Sequence, residues 1–268
     1  MLDMIDTLIQ ALDPVIWAKE RLGFTCDPWQ AAALRSESKR VIYNCARQTG
    51  KSTIAAMRAL YQAVFEPNSL VLLLSPSLRQ SSELQRKVDL LALALSELEY
   101  QEHSKLSLML ANGSRIISLP GIEGTVRGYS AVTLLVEDEA AQVQDDFYKT
   151  VRPMLAVSGG TFILMSTPHG KQGHFFYEWT KGGADWERTE IKARDCPRIA
   201  PEFLEEERKT LGDRWFRQEY CNSFEDMEDS VFSPELVDAA FDETVKPLFG
   251  DLVTADVKPL FAGRRRDV

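Results

Sequence analysis

The sequence predicts an α/β fold in which a mostly parallel sheet is covered by helices on both faces. Two observations support this prediction. Short apolar runs of strand length begin near residues 41, 70, 133 and 162, and stretches with helical periodicity lie between them. Alternating strands and helices favour parallel strands joined by helical crossovers, and wholly apolar strands are typical of a sheet buried on both sides.

Composition is compatible with this fold and argues against a protein that coats DNA and against a zinc protein. The chain has 268 residues, of which 44% are hydrophobic and 26% charged, enough for one large domain or one domain with a small appendage. A net charge of −9 argues against a protein that coats DNA over a broad surface, although not against one that touches DNA at a few points. The four cysteines form no CxxC pair and the three histidines are scattered, so we expect reduced thiols and no zinc site.

The N-terminal region is predicted to be helical. Residues 2–22 have an amphipathic pattern that Pro14 is expected to bend or divide, and acidic residues stand where a secretory signal needs positive charge. No apolar run approaches ~18 residues, so no membrane segment is expected. A second helix is predicted to begin at Asp27 or Pro28. Within it, the amide of Gln30 can offer a donor and an acceptor to an adenine edge, although one glutamine on a helix is also an ordinary solvated residue.

Residues 45–52, with the sequence CARQTGKS, are predicted to form a phosphate-binding loop. They follow a strand pattern at 40–44 and precede a helical pattern, which is the context that such a loop requires. Backbone N–H groups at a helix N-terminus bind anions, and the helix dipole supports them. We expect Lys51 to reach the β- and γ-phosphates and Ser52 to hold Mg²⁺. Because Cys45 replaces the usual first glycine, an ordinary Gly-Lys-Ser turn is the alternative.

The next segments supply a strand, a helix and a hairpin. Residues 69–75 read as a buried strand and residues 79–98 as a helix with a leucine stripe for core packing. Residues 105–110 and 115–119 flank Asn112-Gly113, a strong turn signal, so we expect a hairpin at a sheet edge. A glycine-punctuated loop at 121–129 contains Arg127, and a loop arginine is by itself most simply a solvated residue.

A second chemical motif is an apolar strand at 132–136 that ends in Glu137, Asp138 and Glu139. Carboxylates at the C-terminal end of such a strand lie in the crevice where α/β sheets bind ligands. We expect Asp138 to hold Mg²⁺ through water and Glu139 to polarise the attacking water as a general base; a solvated acidic strand end is the alternative. If the strand runs that far, side-chain alternation places Glu137 and Glu139 on one face, and Glu137 has no assigned role.

A third motif closes the set. After a predicted helix at 144–156, the buried strand at 161–166 leads into Ser166, Thr167 and Pro168. Hydroxyl groups at a strand tip are placed to sense the γ-phosphate and to pass its loss to the loop at 169–173. Ser-Thr-Pro is equally an ordinary strand terminator.

Together these motifs resemble the large terminase subunit of tailed bacteriophages. The motifs that carry the resemblance are, in chain order, Pro28-Trp29-Gln30, Arg47 to Ser52, Arg127-Gly128-Tyr129, Asp138 to Ala141, and Ser166-Thr167-Pro168. The resemblance covers about residues 27–232, because residues 218–224 and Val231-Phe232 are similar to that family's link between ATPase and nuclease domains.

The resemblance implies a DNA-packaging motor, a ring of ATPases that moves double-stranded DNA into a procapsid. Its cofactors would be ATP and Mg²⁺, its partners portal protein and the small terminase subunit, and its location the cytoplasm of the infected bacterial host. By position, Arg47 would contact phosphate in cis, Arg127 would enter a neighbouring subunit's active site, and Ser166 to Pro168 would couple hydrolysis to movement. The residues expected to bind nucleotide are Gln30, Arg47, Gln48, Thr49, Gly50, Lys51, Ser52 and Thr53.

The resemblance also implies a domain plan. We expect an ATPase core at 1–194, of the additional-strand, catalytic-glutamate type of phosphate-loop ATPase, and a helical linker subdomain at 195–244. Residues 245–268 would be a tail or the truncated start of an RNase H-like nuclease domain, so no nuclease activity is expected from this chain. Two other functions stay open: a nucleic-acid helicase of another family, and a nucleotide-binding assembly protein that does not hydrolyse ATP.

Overall fold

A computed structural model of the protein describes residues 2–126, 128–226 and 240. The described residues up to 226 belong to one compact unit. Arg127, Val231-Phe232 and the proposed tail at 245–268 lie outside the described residues. None of the described helices is long and apolar enough to cross a membrane.

The unit contains eight strands and ten α-helices among its described residues. The strands are β1 Arg40–Cys45, β2 Leu70–Ser75, β3 Tyr100–Ser104, β4 Ser107–Leu110, β5 Arg115–Pro120, β6 Leu134–Asp138, β7 Thr161–Ser166 and β8 Glu187–Ile191. The helices are α1 Leu2–Leu12, α2 Pro14–Leu22, α3 Pro28–Arg35, α4 Lys51–Phe65, α5 Leu78–Leu93, α6 Glu123–Val126, α7 Asp145–Val151, α8 Gly173–Thr180, α9 Pro201–Leu211 and α10 Asp213–Cys221.

All eight strands form one sheet in the order β3-β4-β5-β2-β6-β7-β1-β8. In this sheet order, each neighbouring pair from β5 to β8 is parallel. The β3-β4 and β4-β5 pairs are antiparallel. The predicted mostly parallel sheet is therefore confirmed. Strand β7 separates β1, which leads into the predicted phosphate loop, from β6, which carries the acidic motif. The carboxyl ends of these three strands meet at one edge of the sheet.

Apolar side chains cover both faces of the sheet. Every residue of β2, β6 and β7 is buried. Because side chains alternate along a strand, Leu73 packs into a core with α4 and α5, whereas Leu72 and Leu74 pack into a second core with α7 and α8. Burial on two sides explains why these strands are apolar throughout.

The N-terminal helical pattern is divided, as Pro14 indicated. Helix α1 ends at Leu12, and the Asp13 side chain accepts a hydrogen bond from the backbone N–H of Val15 at 2.9 Å, capping α2. Several apolar side chains of α1 are exposed, among them Leu8 and Leu12. Helix α3 begins at Pro28 with Asp27 as its N-cap, as predicted.

Two strands escape prediction because they are polar. Strand β3 is exposed along its whole length, and β8 has one buried residue, Ile191, so neither shows the apolar run that identified the others. Since β3 lies outside β4, the predicted hairpin of β4 and β5 stands one strand in from the edge. Helix α5 ends at Leu93 rather than near residue 98, and the predicted loop at 121–129 includes the short helix α6.

Candidate active site

Two residues of the loop between β1 and α4 have left-handed backbone conformations. Gln48 has φ 63° and Gly50 has φ 96°, and the Thr49 hydroxyl donates to the Ala46 carbonyl at 3.0 Å. Such backbone angles cost a residue with a side chain more than they cost glycine, so the glycine immediately before Lys51 has a physical reason. The loop ends at the first turn of α4, where backbone N–H groups lack partners within the helix and suit an anion.

Two contacts join this loop to the acidic strand. Lys51 Nζ lies 2.8 Å from Glu139 Oε1, and Ser52 Oγ donates to Asp138 Oδ2 at 3.0 Å. Burial acts to lower the pKa of Lys51, but the charges of Glu139 and Asp138 outweigh it and raise that pKa, so the ammonium stays charged. Burial raises the pKa of Asp138, and the Lys51 charge opposes this shift.

The three consecutive carboxylates point to different surroundings because the strand ends at Asp138. Glu139 adopts a left-handed conformation, φ 54° and ψ 41°, and its backbone N–H donates to Asp138 Oδ1 at 3.1 Å. This turn interrupts the alternation of a strand, so Glu139 joins Asp138 at the phosphate loop. Glu137 and Glu139 were expected to share a face only if the strand reached Glu139, and this condition is not met because β6 ends at Asp138.

Glu137 lies in a buried cluster that was not predicted. Its Oε1 is 2.9 Å from His174 Nε2, and His174 Nδ1 is 3.1 Å from Asp145 Oδ1. The Tyr148 ring stacks on the imidazole with a centroid distance of 4.4 Å. Burial raises the pKa of Glu137; burial also acts to lower the pKa of His174, but its two carboxylate partners raise it. The cluster fastens α8 and α7 to the acidic strand.

The predicted coupling motif contacts the acidic motif directly. Ser166 Oγ lies 3.5 Å from Glu139 Oε2, and it accepts a hydrogen bond from the backbone N–H of Ala141 at 3.2 Å. Thr167 and Pro168 line the same cleft as Lys51. The sheet thus brings the strand tips of β6 and β7 together.

Arg47 contacts α10 and Gln30 contacts backbone groups, whereas Lys51 contacts the acidic motif. The Arg47 side chain contacts the Glu219 carboxylate on α10, and the same arginine lines the cleft. Gln30 is 1% exposed, behind the loop. Its Oε1 accepts from the Asp27 backbone N–H at 2.9 Å, and its Nε2 lies 3.5 Å from the Thr49 carbonyl oxygen. Reading an adenine would require the Gln30 amide to exchange these contacts.

The site fits a Mg²⁺ ion held with a nucleotide. Mg²⁺ prefers oxygen ligands and commonly takes only one or two from the protein, with phosphates and water completing its shell. The Ser52 hydroxyl and the Asp138 carboxylate supply two adjacent oxygens at the N-terminus of α4.

The cleft in front of the loop has a volume of about 660 Å³. Its wall also includes residues that the sequence analysis did not assign to nucleotide binding. These are Arg79, Gln80 and Lys87 on α5, Gln142, His169, and Trp215 and Glu219 on α10. The leucine stripe of α5 drew attention to the buried side of that helix, and no local signal marked its polar side as part of a site.

Comparison with known proteins identifies the family. Residues 42–237 match the model of the N-terminal part of the terminase large subunit of T4-like virus type. This chain belongs to the terminase large subunit family. The predicted resemblance is thereby confirmed, and the matched segment contains the phosphate loop, the acidic strand and the coupling motif.

Individual relatives agree with this assignment. The terminase large subunit of Thermus virus P23-45 is 27% identical over 252 residues, covering 80% of this chain and 52% of that protein. That of Escherichia phage T5 is 29% identical over 216 residues, covering 75% and 47%. The solved ATPase domain of the Thermus phage P74-26 large terminase has a TM-score of 0.68 at 26% identity and covers 80% of this chain and 100% of its own. The chain spans about half the length of the curated relatives it matches.

Proposed function

We propose that this terminase chain hydrolyses ATP and that the hydrolysis drives double-stranded DNA into a procapsid. The observation that carries the proposal is the meeting of Lys51 with Glu139 and of Ser52 with Asp138 at the N-terminus of α4. Family membership and the likeness to a solved terminase ATPase domain support it. A ring of subunits, portal protein and the small terminase subunit are the proposed partners, and the host cytoplasm is the proposed location.

The residues divide the chemistry of phosphoryl transfer among themselves. The N–H groups of the loop and the Lys51 ammonium bind the β- and γ-phosphates, and Ser52 and Asp138 would hold a Mg²⁺ ion, which would supply positive charge against the phosphates. Lys51 is paired with Glu139 in this structure. When a bound phosphate replaces Glu139 as the partner of Lys51, the Glu139 carboxylate becomes available to accept a proton from the attacking water.

The Ser166 hydroxyl gives the site a route to the rest of the chain. Since it lies within reach of Glu139 and is bonded to the backbone at Ala141, a change at Glu139 alters contacts at the tip of β7. The loop that follows leads directly to α8, which is fastened to Glu137 through His174. We propose that loss of the γ-phosphate is passed along this path.

The first test separates nucleotide binding from cleavage. Lys51→Ala should lower steady-state ATP hydrolysis by at least about a hundredfold, because it removes a preorganised charge from the transferred phosphate. Glu139→Ala should still bind ATP but fail to cleave it. Phosphate release and equilibrium nucleotide binding are the measurements.

The matched controls are Lys149→Ala and Glu205→Gln, which change exposed side chains on α7 and α9. Both should hydrolyse ATP at the rate of the unmodified chain. A folded Lys51→Ala variant with normal turnover would show that the loop does not serve phosphate transfer. Loss of ATP binding in Glu139→Ala would argue against a role as general base.

A further inference from the structure

Helix α5 brings two cations to the candidate active site. It begins directly after β2, with Ser77 as its N-cap, and β2 is the neighbour of β6 in the sheet. The first turn of α5 therefore starts at the same sheet edge as Asp138. Arg79 stands in this first turn, and Lys87 follows about two turns later on the same side of the helix.

Both side chains face the acidic motif. Arg79 and Lys87 line a cavity of about 370 Å³ together with Ser52, Asp138 and Glu139, and Glu83 of α5 lines it as well. This cavity includes neither Gln30 nor the loop residues before Ser52. It therefore opens on the Mg²⁺ and general-base side of the site, where the terminal phosphate has to lie.

Neither cation has an ion-pair partner among the described residues. In the described part of the chain, Arg79 and Lys87 form no ion pair and no hydrogen bond, and both side chains are exposed. Arg86 on the same helix lies 3.4 Å from Glu83, and Arg47 on the phosphate loop contacts Glu219. A guanidinium that faces a cleft without a carboxylate partner is suited to phosphate oxygens, which it can bind with two parallel N–H groups.

We propose that Arg79, assisted by Lys87, binds the terminal phosphate of the nucleoside triphosphate in cis. The inference rests on the proposed function, because it assumes that the triphosphate occupies the cleft in front of Lys51. It adds a positively charged group opposite Lys51, so that the γ-phosphate is held between α4 and α5. Since a diphosphate lacks the group that Arg79 contacts, this residue would contribute to the distinction between ATP and ADP.

The test compares nucleotide affinities rather than turnover. Binding of a non-hydrolysable ATP analogue and of ADP, each with Mg²⁺, is measured by titration calorimetry for the unmodified chain and for Arg79→Ala. Loss of one charge-assisted contact should weaken the ATP analogue by about tenfold or more and change ADP affinity by less than about twofold. Lys87→Ala should also weaken binding of the ATP analogue more than binding of ADP, but by a smaller factor than Arg79→Ala.

Arg115→Ala is the control, because it removes the same kind of side chain from an exposed position on β5 that does not line this cavity. Its affinities should equal those of the unmodified chain. If Arg79→Ala behaves like Arg115→Ala, the inference is wrong. If Arg79→Ala loses affinity for a DNA duplex while both nucleotide affinities stay normal, Arg79 is a nucleic-acid contact and the inference is again wrong.

Two further comparisons separate this inference from the proposed function. If Lys51→Ala abolishes ATP hydrolysis while Arg79→Ala keeps the normal preference for the ATP analogue, only the inference fails; if Lys51→Ala hydrolyses ATP normally, the proposed function fails. The cis assignment is tested by mixing Arg79→Ala with Glu139→Ala. A cis contact predicts no recovery of turnover, because every site then lacks one of the two groups, and recovery would place Arg79 in a neighbour's site.

Discussion

At the scale of single residues, three adjacent carboxylates acquire three environments. Asp138 meets the Ser52 hydroxyl, Glu139 meets the Lys51 ammonium, and Glu137 is fully buried beside His174. Glu137 Oε2 has no hydrogen-bond partner among the described residues, so the carboxylate depends on the imidazole for compensation. The three environments differ because the strand ends at Asp138, and not because the residue types differ.

The first prediction at this scale concerns His174. Replacing it by alanine leaves Glu137 without its partner in a buried site, and we expect the free energy of unfolding to fall by about 3 to 5 kcal/mol. Replacing both members by apolar residues of similar size, Glu137→Met with His174→Phe, should cost less than His174→Ala, because no charge is then stranded. Denaturant unfolding provides the measurement.

His103→Ala is the control for the histidine itself, since His103 is exposed on β3 with Asp89 as its partner. Its effect should stay within about 0.5 kcal/mol. A His174→Ala variant as stable as His103→Ala would mean that the buried pair contributes nothing to folding.

At the scale of elements, α10 and the residue that ends it contact β1 and the phosphate loop. Asn222 ends the helix in a left-handed conformation, and its side-chain amide donates to the Asn44 carbonyl at 3.1 Å, while the Asn44 amide donates back at 3.3 Å. Glu219 on the same helix holds Arg47. The residues that resemble the family's interdomain link are thus bonded to β1 and to the loop after it.

The prediction for this element is a pH dependence. Arg217 donates two hydrogen bonds of 2.8 Å to Glu225, and these bonds lower the pKa of Glu225 to about 2 from its usual 4.5. Because the pKa is depressed in the folded chain, the stabilisation is complete above pH 4.5 and is lost as the pH falls towards about 2. The melting temperature of Glu225→Gln should therefore lie below that of the unmodified chain at pH 6, and the gap should narrow between pH 4.5 and 3.

Glu205→Gln serves as the comparison, because Glu205 is exposed on α9. Its melting temperature should follow that of the unmodified chain at every pH. A gap for Glu225→Gln that is constant from pH 6 to pH 3 would contradict a role for the charged pair.

At the scale of the whole molecule, the proposed motor needs more than one subunit. Arg127 lies outside the described residues, and its action on a neighbour's nucleotide remains a prediction from the resemblance. An arginine supplied in trans is worth roughly 10³ to 10⁵ in rate, so a single subunit should be a poor ATPase. Activity per subunit should then rise with protein concentration or with portal and DNA.

Mixing two inactive variants tests this prediction. Arg127→Ala and Glu139→Ala should each release little phosphate, but their mixture should recover turnover, because an interface can combine the intact Glu139 of one subunit with the intact Arg127 of the other. Arg79→Ala mixed with Arg127→Ala should recover as well if Arg79 acts in cis. Mixtures that never exceed the sum of the separate variants would rule out action in trans.

The sequence by itself determined the buried part of the sheet and the two central chemical motifs. Strands β1, β2, β6 and β7 were predictable because burial on both faces requires continuous apolar runs. The phosphate loop was predictable because its glycine, lysine and serine act within one strand-loop-helix unit. These signals are local, so they can be read from consecutive residues.

Only the tertiary structure decided which distant groups meet. Ser52 and Asp138 are 86 residues apart, and Glu137 and His174 are 37 apart, so no local pattern pairs them. The polar strands β3 and β8 are strands because each hydrogen-bonds to a neighbouring strand of the sheet, β4 and β1 respectively. Arg79 enters the cleft because β2 lies beside β6, an order of strands that is fixed when the helices and strands pack around both cores and that no stretch of sequence specifies alone.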